Sequence, residues 1–326
     1  MIMKTQLKNT TVLALLMTTT YAMAEENTAE INQTGENNQA VIEQVGIFDT
    51  YFNTATITQI GDNNEANIDQ TADDVNTSTI EQTGSFNYAQ AVSAGFMGSI
   101  DITQFGESNE AIILGGSEDF ASISQGDPSI SSPSNYNIAS IDQTGCGQCS
   151  HHIVQSGFGA NEAFILATHE GAYATITQDG AYNYTSLSQV GNPGALITQS
   201  GEDNYVYIEQ SYWSDVSVEQ TGELHQAVIQ QDWGFNTNAS VVTNGGSANQ
   251  VDIEQTGDVL QADVRQFNVF ESMAVIEQYA EGQTTWIEQH NGIGNYATVS
   301  QGLGGSIGNS ASVVQYGSYN IANIVQ

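Results

Sequence analysis

Two cysteines and two histidines lie close together: Cys146 and Cys149, three residues apart, followed by His151 and His152. Thiolates and imidazoles at such spacing suit a tetrahedral Zn2+. A single Cys-x-x-Cys pair with no second knuckle is a weak metal signature, however. In an exported chain a local disulfide across a turn is the plainer reading. Cys146, Cys149, His151 and His152 therefore stand as a weak candidate metal set beside a disulfide. His169, His225 and His290 are scattered and suggest no site. The sequence has no nucleophile elbow, His-Glu-x-x-His, P-loop or dinucleotide fingerprint. The 37 Asp and Glu are spaced evenly and read as surface, not as an acid/base pair. We expect no enzyme and no cofactor.

The chemistry that recurs is that of side-chain amides. Asn38-Ala40-Ile42-Gln44 is followed by Gly46, and Asn64-Ala66-Ile68-Gln70 and Asn320-Ala322-Ile324-Gln326 repeat the pattern. The period is about 11 residues, the mark of a repeat architecture. Spacing by two is the period of a strand, so Asn, Ala, Ile and Gln share one face. Gly two residues after Gln, as at Gly35, Gly61, Gly84, Gly106, Gly222 and Gly257, supplies a positive φ for a turn. Four segments lack the closing Gln. They end at Ser93, Gly115, Ala167 and Asn244 and keep Asn87, Asn109, Asn161 and Asn238 six positions back.

A lone strand-turn-strand coil cannot bury its inner face, so coils must stack. The spacing predicts an all-β chain: a β-solenoid of about 13 two-stranded coils in two parallel sheets, cross-β and amyloid-like. Identical side chains then form ladders about 4.8 Å apart. Self-assembly ladders are expected at Gln33, Asn38, Gln44, Gln59, Asn64 and Gln70 near one end. At the other end Gln315, Asn320 and Gln326 take that place. Residues Gly126 to Ser134 read as a longer loop, and Phe48 to Phe52 and Gly302 to Gly308 as milder insertions. Trp213 and Trp233 read as edge packing, with Tyr184, Tyr205, Tyr296 and Tyr319 stacking along the edge.

Residues 1–24 read as a signal peptide: Lys4 and Lys8, an apolar run Val12 to Met17, and Ala22-Met23-Ala24 as cleavage site. The repeat domain is then a single one, 25–326. With the signal removed, Arg265 is the one basic residue against 37 acidic ones, a net charge of −36. Such a surface does not bind nucleic acid by phosphate neutralisation. No segment is long enough to insert in a membrane. Divalent cations and basic proteins are the electrostatic partners expected. Glu209, Gln230, Glu254 and Glu277 should form one outward column. Thr177, Thr198, Glu219, Thr243, Arg265 and Glu288 should form another, in which Arg265 pairs with Glu288. The pattern starts at Ala29-Ile31-Gln33 and runs to Gln326 with no capping unit, so both ends should expose strand edges that another copy can extend.

Gln33-Thr34-Gly35-Glu36-Asn37-Asn38-Gln39-Ala40-Val41-Ile42-Glu43-Gln44 resembles the curlin repeat of bacterial functional amyloid at every fixed position. Gln59 to Gln70 and Gln315 to Gln326 resemble it again. The resemblance implies a secreted curli-like fibre subunit of the biofilm matrix, a cell-surface fimbrium that serves adhesion and aggregation. The implied partners are further copies of itself, a nucleator paralogue and an outer-membrane secretion apparatus. The last repeat has no Lys or Arg, which favours the major subunit over the nucleator. Only Glu25 to Thr28 occupy the place of the family's Gly-rich leader, and the repeat number is expanded. The alternative is a monomeric β-solenoid: an adhesin, or an ice- or ligand-binding protein using the outward Thr56/Thr58 and Thr175/Thr177 pairs.

Overall fold

The structure is a computed structural model. It describes residues 2–8, 13–17, 27–44, 52–70, 75–95, 97–126, 134–157, 159–302, 305 and 307–326. Every regular element among them is a strand. The chain divides into two units, Met1–Ala172 and Tyr173–Gln326.

In the first unit, a first sheet runs Ile2–Lys8, Thr28–Thr34, Thr54–Ile60, Thr77–Ser85, Ser99–Glu107, Phe120–Gln125 and Ser150–Ser156. The second sheet runs Leu13–Met17, Gln39–Gln44, Glu65–Gln70, Tyr88–Ser93, Glu110–Gly115, Ile138–Gly145 and Glu162–Thr168. In the second unit the first sheet runs Tyr173–Ala181, Gly194–Glu202, Trp213–Glu223, Phe235–Ser247, Gln261–Phe270, Thr284–Ile293 and Ser310–Tyr316. Its second sheet runs Tyr184–Val190, Tyr205–Ser211, Gln226–Asp232, Gln250–Thr256, Met273–Tyr279, Tyr296–Gln301 and Ile321–Val325. The chain alternates between the sheets, and all these pairings are parallel. Each unit is therefore a β-solenoid: six coils from Thr28 onward in the first and seven in the second, among the described residues.

Burial follows the parity of the repeat. In Glu65–Gln70 the side chains of Ala66, Ile68 and Gln70 are buried, and their neighbours are not. Ile57, Ile80, Ile102, Ile123 and Ile153 stack in consecutive coils with essentially no exposure. Each such burial stabilises by about 1.5–3 kcal/mol.

The corner explains the Gly. Gly84 has φ 123°, and a Cβ on it would lie 1.9 Å from the Gly106 carbonyl oxygen of the next coil. The residue just before the inward Asn is also left-handed, at Asn63, Phe86, Ser108 and Tyr136. The sequence pattern gave no sign of this, because bulky residues are poor markers of positive φ.

Three expectations need correction. First, the segment expected to close on Asn244 closes on Thr243. Thr243 stands between Gln220 and Gln266 and is fully buried, whereas Asn244 and Asn238 are exposed. Thr237 holds the inward Asn position. Ala239 and Val241 decide the register, since a one-residue slip would turn both to solvent. Second, Val242 rather than Thr243 therefore lies between Glu219 and Arg265 in the outer column. Third, the N-terminal edge is not open in the full chain. Ile2–Lys8 pairs with Thr28–Thr34 and Leu13–Met17 with Gln39–Gln44, in parallel and in register. Backbone hydrogen bonding accepts any extended segment at a free edge. The expected cleavage site, Ala22 to Ala24, lies outside the described residues. So do Gly46, most of Phe48 to Phe52, residues 127–133, and part of Gly302 to Gly308.

Candidate self-assembly site: amide ladders and an exposed last coil

The inward Gln side chains form hydrogen-bonded ladders. In the first sheet of the first unit, Gln33 Nε2 donates to Gln59 Oε1 at 2.6 Å. Gln59 donates to Gln82 at 2.8 Å, Gln82 to Gln104 at 2.8 Å, Gln104 to Gln125 at 2.9 Å and Gln125 to Gln155 at 2.9 Å. The second proton of each amide crosses the core. Gln59, Gln82 and Gln104 donate to the carbonyls of Gln39, Glu65 and Tyr88 in the other sheet at 2.9–3.0 Å. One side chain thus joins adjacent coils and also the two sheets, using both donors and an acceptor. In the second sheet Gln44 donates to Gln70 at 2.9 Å.

In the second unit the second-sheet ladder is unbroken through Gln189, Gln210, Gln231, Gln255, Gln278, Gln301 and Gln326, at 2.8–3.3 Å. Every Gln-to-Gln bond named here donates toward the C-terminal end. Gln289 likewise donates to Gln315 at 2.8 Å.

The Asn side chains clamp the corner. Asn64 Nδ2 donates to the Gly84 carbonyl at 2.8 Å and Asn87 Nδ2 to the Gly106 carbonyl at 2.9 Å. The Oδ1 of Asn38 accepts the backbone N–H of Asn64 at 3.0 Å. This accounts for the Gln-x-Gly-x-x-Asn spacing: the amide ties down the next coil's glycine turn. At the other end Asn320 Nδ2 donates to Asn295 Oδ1 at 3.1 Å.

Where the ladder is interrupted, buried polar atoms lose partners. The second sheet of the first unit places Ser93, Gly115 and Ala167 in the Gln row. Ser93 Oγ and Gln143 Nε2 have no partner there, and neither do Thr243 Oγ1 and Gln266 Oε1 across the Thr243 break. Each such orphan costs about 1–3 kcal/mol.

His225, which sequence reasoning set aside, is fully buried in the Asn row. Its backbone N–H donates to Asn204 Oδ1 at 3.1 Å. Its ring Nδ1 accepts from Asn249 Nδ2 at 3.4 Å, and Nε2 donates to the Thr221 carbonyl at 3.3 Å. Those partners assign the neutral tautomer with the proton on Nε2. Burial lowers its pKa, against a smaller opposing effect of the Thr221 carbonyl. The signal was there: His225 stands six residues before Gln231, the spacing of Asn38 from Gln44.

Cys146 and Cys149 form the disulfide across the turn. His151 points inward and bonds Gln143 Oε1 at 2.5 Å, whereas the half-buried His152 meets Ser122 Oγ on the outer face at 2.7 Å. The four residues of the weak metal candidate therefore do not converge. Asp119 does approach the two sulfurs, but its carboxylate accepts from the N–H groups of Gly116 and Cys149 at 2.8 and 3.0 Å.

The outer acidic column of Glu209, Gln230, Glu254 and Glu277 is in register as expected. Asp252 beside it has a raised pKa, from burial first and then from Glu254 and Glu277. Tyr279 is pushed up to about 12 by burial and by its hydrogen bond to Glu254. Arg265 does stand beside Glu288, but its ion pair is with Asp263 at 3.1 Å, and its guanidinium lies over the Trp286 ring. Glu288 pairs with His290 instead. A neighbour two residues along the strand is already on the same face, so it outcompetes the facing carboxylate.

These features define a class, the β-solenoid with buried amide ladders. A sequence model of the curlin associated repeat matches residues 24–47 and 50–71, which supports a relation to the curlin family. No curated protein matches the chain.

Proposed function

We propose that this chain is a curli-type structural subunit that polymerises head to tail into extracellular, amyloid-like fibres of a biofilm matrix. One observation carries the reading: the ladder has a buried, unsatisfied acceptor in its first coil and a half-exposed apolar row in its last. Gln33 Oε1 is buried without a partner. In the last coil Ala322 and Ile324 are half-exposed, while Ala297 and Val299 one coil earlier are fully covered. A second copy stacked on that coil places Gln315 on Gln33, Asn320 on Asn38, Ile324 on Ile42 and Gln326 on Gln44. The Gln315 donor then points at the vacant Gln33 acceptor.

Export removes residues 1–24 and so frees the edge that Ile2–Lys8 and Leu13–Met17 cover. The subunit is the major, polymerising one; a nucleator paralogue and an outer-membrane secretion apparatus serve it. The fibre mediates adhesion and aggregation.

The test is thioflavin T fluorescence of chain 25–326, with and without sonicated seeds. Seeded growth is expected, and the Gln315→Ala, Asn320→Ala, Gln326→Ala triple variant should slow it. The full chain should add to seeds more slowly than 25–326. A processed chain that stays monomeric in the presence of seeds defeats the proposal.

A further inference from the structure

The outer face of the first sheet in the second unit is interrupted by two adjoining hollows. One, of roughly 260 Å3, lies over Gly194, Leu196, Ser217, Ser240 and Asp263. The other, of roughly 430 Å3, is bounded by Asn192, Trp213, Asp215, Phe235 and Asn236. Tyr173 separates them: its hydroxyl donates to Asp215 Oδ1 at 2.9 Å, and its ring crosses Gly194, where a Cβ would lie 2.2 Å from the phenol. The hollows exist because Gly194, Ser217 and Ser240 are small where other coils carry larger outward side chains.

The rim is aromatic. Trp213 faces Phe235 in adjacent strands. A register shift at Trp213/Ser214 leaves Asn236 unpaired beside them. Trp213 is 57 %, Phe235 61 % and Trp233 75 % exposed. Trp213 and Phe235 line the second hollow, while Trp233 packs against Tyr212 beside it. Exposed aromatic clusters of this kind mark binding surfaces.

We propose that these hollows bind a neutral hexose polymer, whose flat C–H faces stack on Trp213 and Phe235 while its hydroxyls meet Asp215, Asn192 and Asn236. Charge selects the occupant. No cation lines either hollow, so phosphate, sulfate and uronate groups find no counter-charge on a chain of net charge −34. A second copy laid sideways on this face would bring like charge to it without the ladder hydrogen bonds that offset repulsion at the coil ends. A cationic ligand finds the carboxylates engaged: Asp263 by Arg265 and one oxygen of Asp215 by Tyr173. What remains is a set of amides, hydroxyls and one free carboxylate oxygen beside apolar rings. That set suits many weak hydroxyl donors on a rigid apolar frame. Repeated along a fibre, such a site gains by multivalency, but the single chain already carries it.

The experiment is isothermal titration of the full chain with cellohexaose, at low and high salt. We expect saturable binding that salt does not abolish. Trp213→Ala and Phe235→Ala should each weaken it by roughly tenfold, equivalent to about 1.4 kcal/mol. Asp215→Asn keeps the shape and should weaken it less. Tyr296→Ala, in the other sheet, should leave it unchanged, and circular dichroism checks each fold. Several outcomes overturn the proposal: no saturable binding, affinity indifferent to Trp213→Ala and Asp215→Asn, or binding confined to amino-sugar oligomers and lost at high salt. So does a rim variant that alters fibre bundling but not sugar affinity.

Discussion

Thr243→Gln should stabilise the second unit. The ladder of its first sheet runs Gln178, Gln199, Gln220 and resumes at Gln266, Gln289, Gln315. Thr243 stands in the gap, fully buried, and both its Oγ1 and Gln266 Oε1 lack partners. Gln220 Nε2 has only the Tyr205 carbonyl, at 3.3 Å. A glutamine here would accept from Gln220 and donate to Gln266, and the flanking coils show that the space between the sheets fits an amide. Relieving two orphans is worth about 2–6 kcal/mol at about 1–3 each. Ordering the longer side chain costs about 1.5–2 kcal/mol. A net gain of about 1–3 kcal/mol is expected after some loss of methyl packing. Thr243→Val separates the two effects, since it removes the orphan hydroxyl but leaves Gln266 unserved, and should gain about half as much. Urea unfolding reads the midpoint and slope. Hydrogen exchange over Phe235–Ser247 and Gln261–Phe270 localises the change. A Thr243→Gln chain no more stable than Thr243→Val, at equal slope, would refute the view that ladder amides hold the coils together.

The corner makes a second test: Gly84→Ala should cripple folding, seen as lost soluble yield and a collapsed urea midpoint, because the Cβ meets the Gly106 carbonyl at positive φ. Gly147→Ala, whose Cβ would meet nothing nearer than 3.6 Å, should be tolerated. For His225 the neutral form is favoured, so its contribution is complete above the ordinary His value of about 6.5 and is lost as the pH falls from there through the lowered folded value. Protonated Nδ1 would face the Asn249 amide, donor against donor. His225→Asn should remove that acid-sensitive part of the stability profile, followed by denaturation at stepped pH. The outer carboxyls act with opposite sign. Asp69 and Asp101 are raised by burial and then by Glu43 and Glu81 respectively, as Asp252 is by its own neighbours. Their favoured form is protonated, so this stabilisation is complete below about 3.9 and lost as the pH rises through the raised values. With His225→Asn as background, unfolding midpoints should therefore rise from pH 7 toward pH 4; a fall would contradict the stacked-carboxylate picture.

Alternation along the chain was enough to establish the strands, the inward faces, the glycine corners and the rows that Gln33, Asn38, Gln44, Gln59, Asn64, Gln70, Gln315, Asn320 and Gln326 join. These follow from parity and spacing, which are local properties of a repeat. Parity also contained the information that corrects Thr243 and reveals His225, since Ala239, Val241 and Gln231 stand at fixed offsets from them. Other features needed the folded chain. A side chain's partner in a solenoid stands one coil away, 20 or more residues along, and corner and loop lengths decide which residue that is. Hence the direction of amide donation, the seat of Arg265 over Trp286 and the hollow beside Trp213 and Phe235 were decided by stacking alone, whereas the inward turn of His151 follows from parity.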